Sequence, residues 1–456
     1  MSGAPGILER SPRSEDLLTN ALKAMLAVLC LGACTSSLAV EEDSTPGVLS
    51  RVEQQIRDYV DQHTEEAHEL IQRVAAINSG TMNAAGVREV GRVFQSELDA
   101  LGFETQWISM PPEMGRAGHL FAERTGHRGK RILLIGHLDT VFEKDSPFQK
   151  TAQQGGRLKG PGVADMKGGD VAMLYALKAL DHVGELEGTT ITVALIGDEE
   201  KPGRPISVAR GHLIEAARRS DVALGFEGAV GRGDATVTRR GAGSWILEVT
   251  GREGHSSRVF TPGFGQGAIF EAARILNAFR EELGGEEYLT FNPGVILGGT
   301  TVKFDAETAE GTASGKPNVV PQGVTVQGDL RFISDRQKEE AQARMREIVS
   351  RNLTGTSAEI HFTEDEYPAM SPNRGDNQLL KAFDEVSRAL GLGAVTPVDP
   401  ETRGAADISF VAPLLDALCG LGPVGAGAHS VREDLDLASL PVATQRAAVL
   451  LYRLTR

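Results

Sequence analysis

Residues 132–140 read Ile-Leu-Leu-Ile-Gly-His-Leu-Asp-Thr. Four apolar residues run together, break at Gly136, and are followed at once by His137 and Asp139. A short apolar run closed by a turn residue is the pattern of a strand buried on both faces, as in a parallel sheet. The pattern returns at 191–196, followed by Asp198-Glu199-Glu200, and at 222–226, followed by Glu227-Gly228. Helical spacing fills the intervals, at 87–101 with Gly102 as its stop and at 171–180. Strands alternating with helices predict an α/β domain with a mostly parallel central sheet. In such sheets, sites form at the carboxyl ends of strands, where His137, Glu199, Glu200 and Glu227 stand.

Upstream, Val52, Ile56, Val60, Leu70, Ile71 and Val74 recur at helical spacing. Downstream the pattern changes near Thr238. Segments 244–250 and 323–333 alternate like half-buried strands, and 266–283 and 337–353 read as amphipathic helices. This block predicts a small α+β domain, residues 239–357, inserted between catalytic parts 48–238 and 358–456. The chain closes with a helix at 442–454.

A chain of 456 residues exceeds one ordinary core, which agrees with two domains. The net charge of -15 argues against a nucleic-acid surface, which needs clustered Lys and Arg. Cys30, Cys34 and Cys419 fit neither a disulfide framework nor a thiolate zinc site, and Cys419, within apolar 414–421, reads as a buried structural thiol. Residues 1–47 read as an export segment and tether. Lys23 precedes an apolar run, 24–33, too short to span a bilayer. Leu31-Gly32-Ala33-Cys34 resembles a bacterial lipoprotein signal, which would make Cys34 a lipid anchor; simple cleavage after Ala39 is the alternative. The acidic residues Glu9, Glu15 and Asp16 depart from a signal and fit an over-extended start. The expected location is periplasmic or membrane-anchored, and cytoplasmic if the segment is not a signal.

Several residues along the chain have metal-ligand chemistry. A neutral imidazole such as His137 is a good zinc ligand, and Asp139, two residues on, can orient its ring. Two glycine-rich turns at 160–169 bracket Asp165, and a carboxylate there can bridge two cations. Glu199 and Glu200 repel each other unless cations or protons offset the charge, so one can bind metal while the other carries a proton. Glu227 and His429, the latter in Gly425-Ala426-Gly427-Ala428-His429-Ser430, complete the set. Taken singly, each has a plainer reading: a surface turn, a helix N-cap, a solvated acidic turn, a lone histidine. Taken together, all at strand ends or glycine loops, they point to one two-metal site.

This ordered set resembles the di-zinc metallopeptidase family 20 of clan MH, which groups glutamate carboxypeptidases, aminoacylases and succinyl-diaminopimelate desuccinylases. The likeness spans residues 52–456 and is strongest at 137–142 and 160–169. It implies a zinc-exopeptidase catalytic domain with a ferredoxin-like lid and dimerisation insert. It implies two Zn²⁺, with Co²⁺ or Mn²⁺ as substitutes, one held by His137, Asp165 and Glu227, the other by Asp165, Glu200 and His429. Glu199 would be the general base, Asp139 would orient His137, and the Asp165-Met166 peptide would be cis. In a homodimer, His255 of 251–256 would enter the partner subunit's active site and polarise the scissile carbonyl. Asn318 and Arg331 match residues that contact the substrate carboxylate or the oxyanion. The sequence departs from the family at 363–368, which is acidic and lacks an expected arginine, and at 402–407, where Arg403 is new. Arg403, with Gly404, is expected to take over carboxylate binding. The implied function is hydrolysis of a peptide or N-acyl amide bond in small substrates, with carboxypeptidase action first and N-acyl-amino-acid deacylase or dipeptidase action second. A non-catalytic zinc-stabilised binding protein is the alternative of another class, and the intact Glu199 speaks against it.

Overall fold

The computed structural model describes Met1, residues 47–371 and residues 377–456. The expected export segment, with Cys34 and Ala39, lies outside the described residues.

The central sheet has six strands, in the order Glu104–Ile108, His119–Arg124, Thr189–Ile196, Arg128–His137, Val222–Gly225 and Asp416–Leu418. The last four run parallel, and the first two add an antiparallel edge. Side chains alternate between the faces of a strand, and here both faces are buried. Ile132 and Leu134 join one core with Ile191, Val193 and Leu195; Leu133 and Ile135 join another with Ala194 and Ile196. This double burial is why these strands read as continuous apolar runs. Helix Gly168–His182 is buried on nearly all sides, packing against Ser439–Leu454 and Arg51–Gln62. Truncating one of its buried leucines, such as Leu177, to Ala costs about 2–5 kcal/mol. The single pattern at 52–74 is two helices, Arg51–Gln62 and Thr64–Ala75. The break falls at His63, whose ring stacks on Tyr59 at 3.9 Å.

The inserted segment builds a separate antiparallel sheet in the order Thr290–Gly299, Gly323–Phe332, Gly241–Gly251, Thr356–Phe362. With helices Ala268–Leu283 and Asp335–Ser350 the chain order is strand–helix–strand–strand–helix–strand, the ferredoxin-like arrangement. Trp245, Leu247, Val326 and Leu330 pack with Ile275, Phe279, Met345 and Ile348 of the two helices. The expected boundary at residue 357 needs correction. Thr356–Phe362 pairs along its length with Gly241–Gly251, so the chain leaves this sheet only after Phe362. Glu359 and His361 lie on the exposed face of that edge strand, and their polarity hid it from the apolar pattern.

Candidate active site

The carboxyl ends of three adjacent parallel strands converge on one cleft. His137 is the last residue of Arg128–His137, Asp198-Glu199-Glu200 follows Thr189–Ile196, and Glu227 follows Val222–Gly225. Asp165 enters from the turn before helix Gly168–His182, and its peptide to Met166 is cis. His429 enters from the loop of a hairpin formed by Gly422–Ala426 and Asp434–Asp436. The glycines serve close packing: a Cβ on Gly425 would sit 2.3 Å from the Ala164 Cβ, and Gly427 has φ +70°.

Asp165 lies between the two imidazoles. His137 Nε2 is 3.1 Å from Asp165 Oδ1 and 3.7 Å from Glu227 Oε1. His429 Nε2 is 3.2 Å from Asp165 Oδ2 and 3.0 Å from Glu200 Oε2. Two three-residue groups therefore share Asp165, one oxygen to each, with the ligand atoms of each group within 4.8 Å of one another. The donors suit a pair of divalent cations: imidazole nitrogen and carboxylate oxygen are zinc ligands, and Glu200 Oε1 is buried without a hydrogen-bond partner among the described residues. His137 Nδ1 is 3.0 Å from the Asp139 backbone oxygen, so its proton belongs on Nδ1 and the Nε2 lone pair faces Asp165.

The expected role of Asp139 gains a second part. Its carbonyl orients His137, and its carboxylate, 3.5 Å from Nδ1, accepts hydrogen bonds from the Glu199 and Glu200 backbone N–H groups and the Thr81 hydroxyl. It thus ties the strand end carrying His137 to the strand end carrying the paired glutamates. The Glu199 carbonyl accepts from the Tyr367 hydroxyl at 2.9 Å. Tyr367 in turn accepts from Arg210, which is buried between Asp198 and Asp407 at 2.5 and 2.6 Å.

Charge concentration moves the proton affinities. Burial, then repulsion from Asp407, Glu227 and Glu200, pushes the Glu199 carboxyl well above the usual range against the pull of His137. Burial and the charge of Asp165 raise Glu200 to about 7, although His429 opposes this. Hydrogen bonds to Asp165 and Glu200 raise His429 to about 11. Burial disfavours the Asp165 anion, but hydrogen bonds from His137 and His429 outweigh it and hold the carboxyl below its usual range.

The cleft encloses about 400 Å³, and Arg239, Arg403 and Gly404 form part of its wall. Arg239 is buried, donates to the Gly404 carbonyl at 3.0 Å and to Cys419 Sγ at 3.3 Å, and lies 3.9 Å from Glu227. Cys419 is buried, as its apolar surroundings predict. Among the described residues Arg403 Nε is buried with no hydrogen-bond partner, and burial and the Arg239 charge lower the proton affinity of its guanidinium.

Comparison with known proteins identifies the family and the fold. The profile of Peptidase family M20/M25/M40 matches residues 133–453. The chain belongs to this family. It is a hydrolytic enzyme of a metal-dependent group, and the non-catalytic alternative is set aside. The chain is 27% identical to carboxypeptidase G2 of Pseudomonas sp. (strain RS-16) over 397 residues, 84% of this chain and 88% of that protein. It is 29% identical over 401 residues to succinyl-diaminopimelate desuccinylase of Nitrosospira multiformis, 81% of this chain and 93% of that protein. Aminopeptidase PepT from Bacillus cereus shares the fold, with a TM-score of 0.69, 17% identity and coverage of 86% and 99% of the two chains.

The M20-family cleft gathers His137, Asp139, Asp165, Glu199, Glu200, Glu227, His429, Arg403 and Gly404, but not the three residues expected from the insert. His255 is exposed and pairs with Val319, beside Asn318. Its Nδ1 accepts from the Ser257 N–H at 3.2 Å, which leaves the neutral ring's proton on Nε2. Arg331 lies on the strand Gly323–Phe332, bonded to Asp329 at 3.1 Å. Sequence reading missed Thr81, Arg210, Arg239, Tyr367 and Glu433. Only Glu433, four residues after His429, carried any positional signal; the others reach the site through tertiary packing alone.

Proposed function

We propose that this chain is a two-zinc hydrolase that cleaves a peptide or N-acyl amide bond in small substrates bearing a free carboxylate, as a carboxypeptidase. The observation that carries this reading is Asp165, which offers one oxygen to each of two histidine–carboxylate groups. Two Zn²⁺, or Co²⁺ or Mn²⁺ in their place, held by His137, Asp165 and Glu227 and by Asp165, Glu200 and His429, would supply Lewis acidity and make water nucleophilic at neutral pH. Glu199 takes a proton from the attacking water on its carboxylate and returns it to the leaving nitrogen. Asp139 keeps Glu199 and Glu200 in register with His137. Arg403, whose buried Nε has no hydrogen-bond partner among the described residues, binds the substrate carboxylate beside Gly404, and Arg239 braces that loop.

His255 acts across a homodimer, polarising the scissile carbonyl in the partner subunit's cleft, and Asn318 and Arg331 contact the substrate carboxylate or the oxyanion. The exposure of His255 and its outward Nε2 proton support this. Exposed Ile269, Phe270 and Ile296, beside the free edge of Thr290–Gly299, supply apolar surface for such a pairing. Export rests on the lipoprotein-like segment ending at Cys34. A Cys34→Ala chain should lose acyl labelling and membrane retention if Cys34 is lipidated. An N-acyl-amino-acid deacylase or dipeptidase would share the chemistry and differ in what fills the cleft.

The deciding experiment is hydrolysis of a panel of N-acyl amino acids, dipeptides and their C-terminal amides. Turnover should vanish with a chelator and return with Zn²⁺, and blocking the carboxylate should cost at least tenfold in kcat/KM. Chelator-insensitive turnover, or equal turnover of the amides, overturns the reading.

A further inference from the structure

The hairpin loop that carries His429 also carries Glu433, a fully buried glutamate (0% exposed) to which the proposed chemistry gives no task. Its carboxylate reaches across to the turn holding Asp165. One oxygen accepts from the Ala164 and Asp165 backbone N–H groups at 2.9 and 3.0 Å, and the other from Gly162 N–H at 3.1 Å. The Glu433 carbonyl accepts from Gly160 N–H, which ties the same two loops again. Lys167 places a buried ammonium in the same region, bonded to the Val74 and Ile77 carbonyls at 3.1 Å. One carboxylate thus serves three N–H groups that would otherwise be buried unpaired, each costing about 1–3 kcal/mol.

The two proposed metal groups depend on this bridge unequally. His137 ends a sheet strand and is 1% exposed, so its own position is set by the sheet. The His429 side chain is 58% exposed and sits at φ 60° in the glycine-rich loop of a short hairpin, which Glu433 ties to the 162–165 turn. We infer that Glu433 is a positioning residue that sets the distance between Asp165 and His429, and so controls cation affinity at the Asp165–Glu200–His429 group selectively. The inference rests on the two-ion reading above.

The test compares the full-length chain with its Glu433→Gln and Glu433→Asp variants, using Zn²⁺ itself as the probe. Gln keeps the shape but has one acceptor oxygen where three N–H groups need two. Asp keeps the charge but falls one methylene short. Ions per chain and the two dissociation constants are read by equilibrium dialysis in buffered Zn²⁺, with the melting point and circular dichroism of the metal-free proteins as controls. The second ion should bind about 10–100-fold more weakly while the first is unchanged. Lost kcat should return as Zn²⁺ is raised, without a matching change in KM. If Glu433→Gln does not fold, the same selective weakening is required of Glu433→Asp. Two unchanged constants, or equal weakening of both, overturn the role of Glu433. A wild-type chain that takes up fewer than two ions sinks the two-ion reading itself, which the variants then no longer address.

Discussion

The two imidazoles of the cleft stand on opposite kinds of support. His137 ends a ten-residue strand with parallel neighbours on both sides, and its Nδ1 meets a backbone carbonyl. His429 rides a loop that is short of regular structure, and its ring is more than half exposed. The sheet side is fixed by burial, so its geometry exists before any ligand arrives. The loop side hangs from a short hairpin and is joined to the neighbouring turn by the Glu433 hydrogen bonds. A site built this way holds one ligand group rigid and keeps the other adjustable, because loops with few buried contacts open at lower free energy than sheet cores.

The largest effect expected on the rigid side is at Glu199. Glu199→Ala should lower kcat by about 10²–10⁴-fold while the chain keeps both ions, measured by turnover beside metal analysis. Retained turnover removes Glu199 from its assigned role. Next come the imidazoles themselves. His137→Ala strips a buried partner from Asp165 and should destabilise the metal-free chain by about 1–3 kcal/mol. His429→Ala, at an exposed position, should cost less than about 1 kcal/mol in the same urea titration. Equal losses would break the distinction between the two supports. A smaller effect is expected at the cleft wall, where Arg403→Ala should raise KM about tenfold for carboxylate-bearing substrates and leave their amides unchanged, a loss of about 1.4 kcal/mol.

The smallest effect is a proton count. In the metal-free chain, Asp165 and Glu200 raise His429 from 6.5 to about 11. Its contribution to stability is therefore complete below about pH 6.5 and is lost as pH rises through about 11. A cation needs the neutral ring, so uptake at pH 7 should release protons, and apparent affinity should rise with pH. Calorimetry in buffers of different ionisation heat would show this, with a smaller release in His429→Gln. The same release in the variant would mean that the proton comes from another group.

The legible part of the site was the part written in local pattern. Apolar runs ending at Gly136, Gly197 and Phe226 marked strand ends, and the polar residues just past them became informative only as a set on one sheet edge. The edge strand Thr356–Phe362 was not legible, because a half-solvated strand carrying Glu359 and His361 looks like a loop. Arg210, Arg239 and Tyr367 were silent for a different reason. Each acts through a hydrogen bond to a residue far along the chain, and no spacing rule encodes that.

By itself the sequence determined which residues could ligate cations and which strands would deliver them to one sheet edge, since burial on both faces forces continuous apolar runs and glycine forces turns. The tertiary structure alone decided that Asp139 spans two strand ends, that Arg403 forms part of the cleft wall and that Glu433 joins the Asp165 turn to the His429 loop. These are pairings between distant segments, and their energies depend on distances that only packing sets.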